Sequence, residues 1–164
     1  MLMALLAAAM LAIFATTPPE ATPSDAPLRS FSAMRAMADV GTMAKHPHVT
    51  GSAENAVVRD HILRRMEALG MEVSTSTGVI DAKGTKRLNK WSGRNDPPAT
   101  LVNLIGILPG KNRNATSVVL MSHHDTVWGS PGAADDASGV AASLEVVRAI
   151  RARGQQERDL VMLV

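Results

Sequence analysis

The sequence predicts an α/β domain, a mixed central sheet with helices on both faces, and left incomplete at the C-terminus. Three observations carry this. Beyond residue 30, helix-period stripes and short apolar runs succeed one another as helix, strand, strand, strand, helix, strand. The run Ser117–Ser122 (SVVLMS) is continuously apolar, as expected of a central strand buried on both faces. The first strands lie close together in sequence, so part of the sheet is expected to be antiparallel. With 164 residues the chain suffices for one domain with its own core, and not for two.

In order along the chain, Met1–Ala15 (MLMALLAAAMLAIFA) is an apolar run with no charge. Its length suits the apolar region of a signal peptide and falls short of the ~20 residues of a spanning helix. It lacks a basic start and a small-x-small cleavage site, and is read as a signal peptide or membrane anchor, hence export to a periplasmic, extracellular or lumenal space. Residues 16–29, rich in Pro, Thr and Ala, read as linker, and 30–164 as the N-terminal part of one domain.

Ser30 is the expected cap of a helix over Phe31–Ala44, with Met34, Met37, Ala38 and Gly41 along one stripe. Ser52 caps a second helix, Ala53–Leu69, which shows Val58, Ile62, Met66 and Leu69 on one face and stops at Gly70. Met71–Ser76 reads as a strand, 77–99 as a polar excursion, and Leu101–Leu108 as a strand closed by Pro109-Gly110. A helix over Ser138–Arg153 carries Val140, Leu144, Val147 and Ile150 at helical spacing. Asp159–Val164 (DLVMLV) opens a buried strand, and its apolar end predicts that the domain continues past Val164.

Composition narrows the function. The absence of cysteine excludes disulfides, thiolate metal sites and a cysteine nucleophile. Aromatics make up 2% of the chain and tyrosine is absent, so the basic patch Lys83–Lys90 is read as a solvated loop rather than a nucleic-acid surface.

The chemistry lies between Ser117 and Ile150. A strand ends at Ser122 and presents His123, His124 and Asp125 where open α/β sheets bind ligands. His123 and Asp125 point the same way along extended backbone, and a metal-binding imidazole needs an acceptor on its other nitrogen. A loop then leads to Gly132-Ala133-Ala134-Asp135-Asp136-Ala137-Ser138-Gly139 directly before a helix. Either segment alone is commonplace, since paired Asp residues usually cap helices. Together, bracketed by strand and helix, they point to a metal centre. His46 and His48 flank a proline in a turn and are read as shaping the fold, and His61 as a surface residue. Asn114-Ala115-Thr116 fits a glycosylation sequon.

These segments resemble the aminopeptidase-Y-type co-catalytic zinc peptidases, whose pattern is His-x-Asp-Ser/Thr followed by Gly-Ala-x-Asp-Asp/Asn-x-Ser-Gly-Val. Here it reads His123-His124-Asp125-Thr126, then Gly132 to Val140. His46-Pro47-His48-Val49-Thr50-Gly51-Ser52-Ala53-Glu54-Asn55, followed by Arg59-Asp60, resembles the membrane-associated branch with the vacuolar and endoplasmic-reticulum metallopeptidases. The resemblance implies two zinc ions per complete site. His123 would ligate one, Asp135 would bridge both, and Asp125 would orient His123. It further implies a cis peptide at Asp135-Asp136 and places His124 along the cleft. The family's catalytic Glu-Glu pair and remaining ligands belong beyond Val164, and neither Glu145 nor Glu157 is placed to substitute. The complete protein is accordingly expected to cleave N-terminal peptide bonds of peptide substrates, and this chain alone to be inactive. Competing expectations are an aminoacylase or carboxypeptidase G-like deacylase, a glutaminyl cyclase, and a non-catalytic, receptor-like binding relative.

Overall fold

The computed structural model describes residues 1–164. Helix α1 (Leu2–Thr16) is exposed along its whole length, and no helix is long and apolar enough to cross a membrane. Helix α2 (Ala33–Met43) starts two residues later than the sequence suggests, because Ser32 rather than Ser30 caps it, accepting from the Arg35 amide. Its buried stripe is correspondingly Ala36, Asp39, Val40 and Met43, while Met34 and Met37 face solvent. Helix α3 (Ala53–Ala68) begins and faces as expected: Ser52 accepts from the Asn55 amide, and Val58, Ile62, Met66 and Leu69 are buried.

Strand β1 (Glu72–Val79) is followed by helix α4 (Ala82–Ser92), inside the stretch read as an irregular excursion. Asp81 caps α4 through the Gly84 amide and Gly93 ends it in a left-handed conformation. The helix buries no residue, so it left no apolar stripe to detect. The basic patch therefore lies on a helix rather than a loop, with Arg87 stacked 4.3 Å over the Trp91 ring.

Strands β2 (Thr100–Leu108), β3 (Val118–Met121) and β4 (Leu160–Leu163) complete a sheet of order β1-β2-β4-β3. β1–β2 and β2–β4 are antiparallel and β3–β4 is parallel, so the sheet is mixed, as expected. The tight β1-to-β2 approach to α3 depends on Gly106, where an added Cβ would lie 3.0 Å from Sδ of Met66 and 3.1 Å from Cε of Met71.

One apolar core joins Met43, Ile62, Met66, Leu144 and Val147 from α2, α3 and α5 (Ser138–Arg151) to Leu104, Leu160 and Met162 of the sheet. On β4 burial alternates, with Leu160 and Met162 buried and Val161 and Leu163 only half-buried. Helices α2, α3 and α5 pack on the sheet through this core. The expectation of a doubly buried β3 fails. β3 pairs only with β4, and Val119 and Met121 are 55% and 78% exposed.

Residues 22–30, most of them read as linker, are tied to the domain. Arg35 donates to the carbonyls of Ser24 and Ala26, and Arg148 to those of Leu28 and Ser30. His61 is half-buried rather than on the surface: its Nε2 lies 2.9 Å from Asp39 Oδ1, a carboxylate that Arg65 also reaches, and the pair joins α2 to α3.

Candidate metal centre

The parallel β3–β4 pairing fixes where the first candidate ligand emerges. The Ser122 amide still bonds to the Leu163 carbonyl at 3.1 Å, and the next residue, His123, leaves the sheet at its C-terminal edge. The second comes from the turn before α5. Ala133–Ala137 form a kinked turn in which Asp135 and Asp136 depart from helical dihedrals, with a cis peptide between them as the resemblance implies.

The two segments converge. His123 Nε2 lies 3.0 Å from Asp135 Oδ1, and His123 Nδ1 lies 3.2 Å from Asp125 Oδ1 and 3.1 Å from the Asp125 carbonyl. His123 and Asp135 are open to solvent, at 51% and 88% side-chain exposure. Partial burial works against the imidazolium, but hydrogen bonding to Asp135 and the charge of Asp125 outweigh it and hold His123 above its ordinary value. Neighbouring ligands of a tetrahedral zinc with bonds of about 2.0–2.1 Å lie about 3.3 Å apart. The separation of Nε2 from Oδ1, with a carboxylate behind Nδ1, therefore fits a zinc-binding pair. No group of three or more His, Cys, Asp or Glu side chains in residues 1–164 is arranged so that it could hold a metal ion by itself.

His124 points elsewhere. Asn55 Nδ2 lies 3.0 Å from its Nδ1, and its Nε2 reaches the Val102 carbonyl at 2.9 Å. Burial pushes its pKa down, more than the Val102 carbonyl raises it, and both ring nitrogens are engaged. It lines a cleft of about 220 Å³ together with Thr50, His123 and Asp125.

Sequence reasoning missed four supporting residues. Asp136 accepts from the His123 amide at 3.2 Å and from the Gly139 amide at 3.1 Å. Thr126 Oγ1 accepts from the His48 amide at 2.8 Å, and the Thr126 amide returns to the His48 carbonyl. Buried Asn55 donates to the carbonyls of His48 and His124 and accepts from Arg59. Thr50 Oγ1 donates to Asp125 Oδ2 at 2.7 Å. The signal for Thr50 and Asn55 was the His46–Asn55 motif, and for Thr126 and Asp136 the two segments around the candidate ligands, which named the residues without saying what they touch. Glu145 is buried and bound by arginines, remote from His123 in role, and His46 is exposed.

Residues 103–164 match the profile of Peptidase family M28. The chain is 32% identical over 130 residues to a vacuolar membrane protease of Schizophyllum commune, a match covering 77% of this chain and 14% of that protein. It is 30% identical over 137 residues to the vacuolar membrane protease of Schizosaccharomyces pombe, covering 82% and 16%. The chain thus spans about one seventh of the length of the curated relatives it matches. Among solved structures, a zinc aminopeptidase from Bacillus subtilis superposes with a TM-score of 0.68 at 14% identity, over 84% of this chain and 62% of that one. A glutaminyl cyclase from Porphyromonas gingivalis superposes with a TM-score of 0.60 at 25% identity, over 80% and 45%.

Proposed function

Because this chain belongs to peptidase family M28, we propose that the complete protein is a zinc-dependent aminopeptidase acting on peptides. The observation that carries the reading is the convergence of His123 Nε2 and Asp135 Oδ1 at 3.0 Å, where strand β3 ends and α5 begins. His123 would hold one zinc and Asp135 would bridge a pair, with Asp125 orienting the His123 ring. Zinc, when bound, polarises a peptide carbonyl and lowers the pKa of a bound water to about 7. The part of this chain is to hold those donors at fixed separation and to wall one side of the cleft with Thr50 and His124. The general base and remaining ligands would come from sequence outside residues 1–164.

The test is release of the N-terminal residue from unblocked peptides by the full-length protein, with and without chelator. Activity should vanish with chelator, return with zinc, and fall by at least about 10³-fold in His123→Ala and Asp135→Ala. The 164-residue chain alone should be inactive. Chelator-insensitive cleavage would overturn the zinc reading, and zinc binding without turnover would favour the receptor-like alternative. The fold shared with a glutaminyl cyclase supports a second reading: peptides with N-terminal glutamine would then lose ammonia instead of releasing an amino acid, which mass spectrometry separates. Hydrolysis of N-acylated amino acids in preference to free N-termini would support the deacylase alternative. The exposed apolar helix α1 and the relatives' membrane association support an exported domain, reached through a signal peptide or anchor at residues 1–15. Fractionation of cells expressing the full-length protein would test this, and a cytosolic pool would count against it.

A further inference from the structure

The His46–Asn55 segment contains none of the proposed ligands, yet it touches the centre at one carboxylate. Thr50 and His123 are the two side chains that hold Asp125, Thr50 Oγ1 at 2.7 Å from Oδ2 and His123 Nδ1 at 3.2 Å from Oδ1. Resting on the zinc reading above, we propose that Thr50 is a positioning residue of the metal centre. It locks the Asp125 carboxylate so that His123 presents Nε2 beside Asp135.

The physical case has two parts. Asp125 is 45% exposed at its side chain and sits in a loop, so one hydrogen bond to an imidazole would leave its carboxylate free to rotate. A second bond to the other oxygen removes that freedom. The donor is itself fixed. Threonine is β-branched and stiff at χ1, and the segment around it is anchored on both sides. On one side the His48 amide and carbonyl bond to Thr126, next to Asp125 in the chain. On the other, Ser52 caps α3, and Asn55, 1% exposed, reaches back to the His48 and His124 carbonyls. The orientation of His123 is thus referred to α3 through Thr50 and Asp125. Partners that orient a ligating histidine change metal affinity by about 10–100-fold when lost.

The experiment uses the full-length protein with Thr50→Val, which keeps the shape and removes the hydroxyl, and Thr50→Ser, which restores it. Zinc affinity is measured by competition with a chromophoric chelator, alongside the thermal midpoint of the metal-free protein. We expect Thr50→Val to weaken zinc binding at least about 10-fold and Thr50→Ser to return it to within about threefold. The metal-free midpoint should stay close to wild type in both. In an Asp125→Ala background, Thr50→Val should cost nothing further, because its effect passes through Asp125. Wild-type affinity in Thr50→Val, equal weakness in Thr50→Ser, or additive losses in the double variant would each overturn the proposal. Wild-type protein that takes up no zinc would sink the zinc reading itself, and this assignment with it.

Discussion

Glu145 on α5 and Arg35 on α2 meet at 3.0 Å across 110 positions of the chain. Glu145 is 4% exposed, and its carboxylate also accepts from the Ser32 amide and from Nε and an Nη of Arg148. The same two arginines pin the carbonyls of residues 24–30, so one buried acid organises α2, α5 and the segment leading into them.

Glu145→Ala should therefore destabilise the fold by about 3 kcal/mol, the cost of leaving buried partners uncompensated. Equilibrium unfolding in urea measures it. A loss below about 1 kcal/mol would mean that Arg35 and Arg148 simply turn to solvent.

The same group should give the fold an acid limit. Burial raises the Glu145 pKa, but the Arg148 hydrogen bonds, the Ser32 amide and Arg35 together bring it below the ordinary 4.5. A carboxyl whose folded pKa is depressed contributes in full above its unfolded pKa and loses that contribution as pH falls through the folded one. Unfolding free energy should accordingly drop as pH falls below about 4.5, and Glu145→Gln should show a shallower drop. Parallel curves for the two proteins would assign the acid sensitivity to other groups.

Gly139→Ala tests the turn that carries the proposed bridging residue. A Cβ at position 139 would sit 2.2 Å from Asp136 Oδ1, so the carboxylate would have to leave both of its amide partners. The expected cost is about 1–3 kcal/mol. Measured stability within about 0.5 kcal/mol of wild type would show that Asp136 is free to shift at little cost.

Leu144→Ala probes the core under the same helix. Leu144 is fully buried among α2, α5 and the sheet, and its truncation should cost about 2–5 kcal/mol. Met34→Ala, exposed on α2 although the sequence places it on an apolar stripe, should change stability by no more than about 0.5 kcal/mol.

Where sequence signals were local, they were legible. Ser52, the Val58–Leu69 face and Gly70 define α3 within a few consecutive turns, and the structure follows them closely. The His-x-Asp and Asp-Asp segments likewise lie next to a strand and a helix visible in the apolar pattern. What stayed hidden depends on partners distant in the chain. Helix α4 is stabilised by its caps and buries nothing, so periodicity could not show it. His61 looked like a surface residue until α2 brought Asp39 within 2.9 Å. The apolar run of β3 predicted burial, but burial belongs to a strand's neighbours and not to its composition. Thr50 and Asp125 are 75 positions apart, and no spacing rule connects them.

The two oxygens of Asp136 bear on dynamics. One holds the His123 amide at the end of β3 and the other the Gly139 amide in the first turn of α5. Fraying of that helix start and detachment of the strand end are consequently a single opening event rather than two independent ones. Amide hydrogens at positions 123 and 139 should exchange with solvent deuterium at coupled rates, and the donors His123 and Asp135 would be lost or recovered together whenever this corner of the molecule breathes.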